Sequence, residues 1–168
     1  MKKEIKLDDF KKHYTKDISV IPKIKKIINE NNLERKYNLI IEYICDSIDN
    51  DVKKNNHCDF QEGQCIANRL GKSTHENNGC CYQNKVGLCK YLKNERCEIQ
   101  NIACKVFMCR YLESKGVKYD IKKIFPVKLF FNRKQVKILE KNYFKTKEEV
   151  VCLLIENSWK IFPILFVV

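Results

Sequence analysis

Apolar residues recur at helical spacing in two blocks, separated by a long stretch in which no period holds. In the first block Val20, Ile21, Ile24, Ile27 and Ile28 share a face, with Lys23, Lys25 and Lys26 largely off it. Ser19 is placed to cap this helix, and Pro22 falls in its first turn, where a missing N–H costs little. Asn31 and Asn32 mark its end. A longer helix follows, with Leu33, Tyr37, Ile40, Ile41, Ile44, Ile48 and Val52 along one side. Cys45 lies beside Ile44 and Ile48 and reads as a core thiol. Residues 1–56 therefore predict a helical hairpin that must pack against something else.

From Asn55 the helical period disappears. Gly63, Gly71, Asn77, Asn78, Gly79 and Gly87 punctuate the chain as turns, and Phe60, Ile66, Leu70, Val86 and Leu88 are too scattered to form a face. Periodicity returns near Ile102, where Val106, Phe107, Arg110, Tyr111 and Leu112 predict a helix ending at Gly116. Across residues 117–142, Phe125, Leu129, Val136, Leu139 and Tyr143 fit a helical stripe, with Asn132 filling its gap. The same residues also fit a hairpin, but Glu140 and the lysines favour helix. Thr146 and Glu149 have the spacing of a capping box, ahead of Val150, Val151, Leu153 and Leu154. Cys152 sits inside that apolar run and is expected in the core. The expected fold is mainly α: a helical hairpin, a loop-rich cysteine cluster closed around metal over residues 57–112, and a helical C-terminal part over residues 113–168. With no internal repeat or low-complexity linker, the 168 residues are expected to form a single domain.

The aperiodic stretch changes meaning once its cysteines are considered. Eight of the chain's ten fall between residues 58 and 109: Cys58, Cys65, Cys80, Cys81, Cys89, Cys97, Cys104 and Cys109. Core packing does not call for so many in one segment, whereas cross-links through a metal can order a chain that lacks its own core. Disulfides are the competing chemistry. The basic start of residues 1–14 has no apolar run behind it, and the apolar run at residues 161–168 is far short of the roughly 20 residues a spanning helix needs. The expectation is a cytoplasmic protein with reduced thiols and no membrane segment, which favours metal.

The spacings exclude the familiar sites. No C-x₂-C knuckle occurs, so neither a zinc finger nor a zinc ribbon is expected, and the bacterial ferredoxin pattern is absent. What remains is an irregular, loop-closed site drawing on the eight cysteines, enough for two four-ligand zinc sites or for one with the rest structural. His57 and His75 flank the region and are candidates to replace a thiolate. In a single helix Cys104 and Cys109 would point roughly 140° apart, so only one of them would face a shared site.

These residues also resemble a family. Gly79-Cys80-Cys81, the run from Gly87 through Cys89 to Leu92, Arg96-Cys97-Glu98-Ile99, and Cys104 through Phe107 to Cys109 are similar to the cysteine-cluster domains of the YkgJ-like, zinc- or iron-chelating type. Flagellin lysine N-methylases carry a similar cluster. The resemblance spans about residues 58–112 and implies metal ligands at Cys80, Cys81, Cys89, Cys97, Cys104 and Cys109. Cys58 and Cys65 stand further from the Cys80–Cys81 pair than the family's opening cysteines do.

Composition adds little specificity. Hydrophobic residues make up 44% and charged residues 32%, as in folded proteins, and the net charge is +12. The lysines are spread along the whole chain, which fits a solvated surface better than a dedicated patch. Four functions follow. The first is a metal-binding protein in which zinc is largely structural and the surface meets a protein partner. The second is an iron or iron–sulfur enzyme that modifies a protein, although no G-x-G-x-x-G loop marks a methyl-donor site. The third is a nucleic-acid module using Lys128, Phe130, Phe131, Arg133 and Lys134. The fourth is redox sensing at Cys80 and Cys81. The apolar end of the chain, from Trp159 onward, is expected to dock on its own domain or in a dimer.

Overall fold

Two amphipathic helices open the structure. It is a computed structural model that describes residues 20–72, 82–83 and 87–158. Helix α1 (Val20–Asn29) buries Ile24 and Ile27 and leaves Lys23, Lys25 and Lys26 exposed. Asn32 then caps α2 (Leu33–Asn55) by accepting a hydrogen bond from the Arg35 N–H at 2.9 Å, so it begins the second helix rather than ending the first. Tyr37, Ile40, Ile41, Ile44, Cys45 and Ile48 form the buried stripe of α2. The helix stops at Asn56, whose φ of 45° lies in the left-handed region and whose N–H bonds back to the Val52 carbonyl. Ser19, the expected cap of α1, lies outside the described residues, as does the stretch from Trp159 onward.

The middle of the chain is built from very short pieces. Helix α3 (Ile66–Arg69) is one turn. Strands β1 (Tyr82–Gln83) and β2 (Gly87–Leu88) pair antiparallel, as do β3 (Leu92–Lys93) and β4 (Arg96–Cys97). The β3–β4 turn places Asn94 and Glu95 at φ 47° and 63°, the two left-handed residues that a tight two-residue hairpin requires. Glu62 and Gly63 do the same between Gln61 and Gln64.

Helices return with α4 (Ile102–Val106) and α5 (Arg110–Ser114). The single helix expected here is two, because Phe107 and Cys109 are both extended and reset the chain direction. Gly116 follows α5 at φ 83°, in the left-handed conformation that makes glycine suitable there. A 3₁₀ turn (Ile121–Lys123), α6 (Phe125–Phe130) and α7 (Arg133–Lys141) replace the continuous helix expected over residues 117–142. Asn132 is the N-cap of α7, in a capping box with Gln135. The buried line there runs Val127, Phe131, Gln135 and Leu139, so of the expected stripe only Leu139 is fully buried. Helix α8 (Lys147–Glu156) opens with the expected Thr146–Glu149 capping box.

The described chain is thus mainly helical. Helix α2 packs on α1, α4 and α8, and α7 packs on α4 and α8. One apolar core unites Ile24 and Ile27, the α2 stripe, Ile102, Ile121, Val127, Phe131, Leu139, Val150, Val151 and Leu154. None of its buried members comes from the described residues between Ile48 and Ile102. Among the described residues, no helix is long and apolar enough to cross a membrane.

Candidate metal centre

Of the eight candidate ligands, Cys80 and Cys81 lie outside the described residues, as does His75. Of the remaining six, three lie near one another. Cys89 precedes the β3–β4 hairpin, Cys97 ends β4 and Cys104 stands in α4. Cys89 and Cys104 are buried and Cys97 is half-buried. The hairpin folds back on itself, since the Leu92 N–H donates to the Cys89 carbonyl at 2.9 Å and the Glu98 N–H to the Tyr91 carbonyl at 2.9 Å. All three lie within electrostatic reach: Cys89 and Cys97 disfavour ionisation of Cys104, and Cys89 disfavours that of Cys97.

Backbone donors point at two of these sulfurs. The Phe144 N–H donates to Cys104 Sγ at 3.2 Å, and the Ile99 backbone, two residues on, bonds to the Cys97 thiol. Hydrogen bonds to sulfur stabilise thiolate and tune thiolate-bound metals. Without metal, burial still dominates. It raises the Cys97 pKa and pushes that of Cys104 up to about 11, against the lowering effect of those N–H groups and of Lys105.

The scaffold around Cys104 comes from both ends of the chain. Asn101 is buried and caps α4, its side-chain oxygen accepting the Cys104 N–H at 3.2 Å. Its amide donates to the carbonyls of Asn142 at 2.7 Å and Lys145 at 2.9 Å. The Tyr91 hydroxyl donates to the Phe144 carbonyl at 3.1 Å, and Phe144 adopts φ 62°. The α7–α8 loop is thereby clamped over Cys104, with Tyr143 edge-on to Phe107 at 6.2 Å. Lys105 lies on the other side. Its ammonium reaches Asp49 Oδ1 and Oδ2 at 2.6 and 2.7 Å and the Cys97 carbonyl at 2.5 Å.

Cys58, Cys65 and Cys109 are all half-buried. Cys58 and Cys65 close a small loop, because the Ile66 N–H donates to the Cys58 carbonyl at 2.8 Å and Gln61 pairs with Gln64. The loop tip meets the β3–β4 turn through the Gly63 N–H and Glu95 Oε1 at 3.2 Å. Cys65 is the N-cap of α3 and Cys109 that of α5. Lys72, just after α3, lies over the Tyr111 ring of α5. Because the helix breaks between Cys104 and Cys109, the two cysteines belong to different elements. His57 Nε2 stands 3.6 Å from Asp51 Oδ2, a carboxylate that also accepts the Tyr119 hydroxyl.

The donor chemistry fits a thiolate-bound metal. It is not complete among the described residues, where no group of three or more His, Cys, Asp or Glu side chains is arranged to hold an ion. Two other expectations are settled by burial. Cys45 is fully buried, as its position predicts. Cys152 is exposed, contrary to expectation. Val150, Val151 and Leu154 define the buried side of α8, and a step of two residues turns Cys152 about 200° from Val150. The aromatics considered for nucleic-acid stacking lie inward: Phe131 is buried and stacks on Tyr37 at 5.7 Å, and Phe130 packs against the core. Asn101, Asp49, Lys105 and Phe144 escaped the sequence reading. Only Asn101, a capping residue one position before Ile102, carried a local signal.

Comparison with known proteins finds no matching family model, curated protein or solved structure.

Proposed function

We propose that the chain is a cysteine-cluster metal-binding protein of the YkgJ-like kind, in which zinc, held by thiolates, orders residues 57–112. One observation supports this reading: Cys89, Cys97 and Cys104 lie within electrostatic reach of one another, with backbone N–H groups on the sulfurs of Cys97 and Cys104. A fourth thiolate from Cys80 or Cys81 would complete one site. Cys58, Cys65 and Cys109, with the other member of that pair, would supply the second. Zinc suits closed, thiolate-rich sites, and when bound it would cross-link elements too short to stand alone. The packing supports this role, because the described residues between Ile48 and Ile102 add no buried side chain to the main core. The reading places the protein in a reducing compartment such as the cytoplasm, with its outer surface left to meet a protein partner.

Elemental analysis of anaerobically purified full-length protein tests it. The expected result is a colourless sample with stoichiometric zinc that loosens in chelator. A metal-free protein whose fold ignores chelator would sink the reading. A brown, iron-loaded sample with charge-transfer absorbance would replace it with the iron–sulfur enzyme.

A further inference from the structure

We propose that the outward side of α7 is a binding surface for the phosphate backbone of duplex nucleic acid, formed by Arg133, Lys137 and Lys141. The surface involves none of the cysteines.

The seating of α7 puts these cations in line. Gln135 and Leu139 are buried and fix the inward side of the helix. Each step of four residues turns the chain by about 40°, so the three cations fall within roughly 80° of one another. Lys137 lies opposite the midpoint of Gln135 and Leu139. All three side chains are exposed, and about 6 Å of helix rise separates each from the next. The capping box at Asn132 and the bonds from Gln135 to Tyr37 and the Leu154 carbonyl hold the helix in place, so the row is preset.

The row works against the electrostatics of its own helix. Like charges four residues apart repel one another. Arg133 and Lys134 occupy the first turn, where the helix dipole favours acids, and α7 has no acid there. Arg133, Lys137 and Lys141 form no ion pair among the described residues. Glu140, the acid of α7, is engaged by Lys122 at 3.2 Å, a cation from the neighbouring 3₁₀ turn. An anion laid along the row relieves this repulsion.

The kind of anion follows from what surrounds the row. Among the described residues Leu70 is the one exposed large apolar side chain, and it belongs to the end of α3. No such side chain therefore stands beside the row, among the described residues, to enter a lipid surface, anchor a protein partner or stack on unpaired bases. A regular line of cations suits a partner met through charge alone. A duplex is such a partner, with a phosphate about every 3.4 Å along each strand.

Fluorescence anisotropy of a random-sequence DNA duplex with the full-length protein, over a salt series, tests the surface. Three phosphate contacts lower log K by about 2.7 for each tenfold rise in salt, so affinity should fall about 40-fold or more between about 50 and about 200 mM. The variant Arg133→Gln/Lys137→Gln/Lys141→Gln should lose that share of the slope and bind about tenfold or more weakly at about 0.1 M salt. A matched variant on α1, Lys23→Gln/Lys25→Gln/Lys26→Gln, should stay within about threefold, because charges outside the contact are screened. Equal losses in the two variants would assign binding to net charge and overturn the proposal. Absence of wild-type binding at low salt would do the same. Row-dependent binding to phosphatidylserine vesicles that is tighter than to the duplex would overturn it in favour of a membrane surface. The thermal midpoint of the α7 variant should match or exceed that of wild type, since repulsion is removed. If it falls instead, Lys137→Gln alone decides: a slope lower by about 0.9 supports the row, and an unchanged slope refutes it.

Discussion

Cys45 and Cys152 both sit among apolar neighbours in sequence, yet one is sealed in the core and the other faces solvent. Burial drives the Cys45 pKa up, so both access and thiolate are lacking there. At about pH 8, a thiol reagent is expected to modify Cys152 quickly in the native protein and Cys45 only after unfolding. Mass spectrometry of the labelled peptides checks this. Gln135 is the opposite case, a polar residue with no exposed surface. Its amide donates to the Tyr37 hydroxyl at 2.5 Å and the Leu154 carbonyl at 3.0 Å, while its oxygen accepts the Asn132 N–H at 3.0 Å. Gln135→Leu leaves these groups unpaired and is expected to cost about 1–3 kcal/mol in urea unfolding. Burial also raises the Tyr37 pKa, against the lowering effect of Gln135. The folded state thus holds that proton more tightly than the unfolded chain does. The stability it contributes is intact below about pH 10 and is lost as pH rises through the higher folded value. Urea midpoints measured at about pH 8 and about pH 11 should fall in that order. No hydropathy pattern could reveal Gln135, because its burial depends on hydrogen-bond partners 19 and 98 residues away.

At the scale of elements, sequence signals worked where they were local. The Thr146–Glu149 capping box needs only its own four residues, and it forms with Thr146 Oγ1 accepting the Glu149 N–H at 3.3 Å. Thr146→Ala is expected to cost about 1 kcal/mol and to lower the thermal midpoint accordingly. The α2 stripe was equally legible, since its isoleucines repeat over several turns. Residues 117–142 were not: the favoured helical stripe assumed one unbroken element, and the hairpin alternative broke the chain at Asn132 but put strands where helices form. Asn132 filled a gap in the stripe when its actual role is to start α7. The break between α4 and α5 was hidden for a similar reason: Phe107 and Tyr143 pack across it, and that contact is far apart in sequence. The cysteine spacings argued against a knuckle geometry, but they carried no information about Asn101, Lys105 or the α7–α8 loop.

Over the whole molecule, two kinds of cohesion divide the labour. The helices share one apolar core, whereas the described residues between them are held by hairpin turns, caps and the surroundings of the cysteines. On the zinc reading proposed above, removing metal is therefore expected to act unevenly. Chelator should open residues 57–101 to limited proteolysis while α1, α2, α7 and α8 stay protected, and hydrogen exchange would locate the boundary. Uniform loss of protection would show that the core depends on the metal as well. The clamp of the α7–α8 loop over Cys104 has a consequence for biosynthesis. Asn101 waits for Asn142, Tyr91 for Phe144 and Cys104 for the Phe144 N–H, partners 40 to 53 residues downstream. During translation the thiols near Cys104 are thus complete in sequence well before anything covers them. A ribosome-bound chain has an interval in which these sulfurs are open to metal or oxidant, and emergence of the α7–α8 loop ends it.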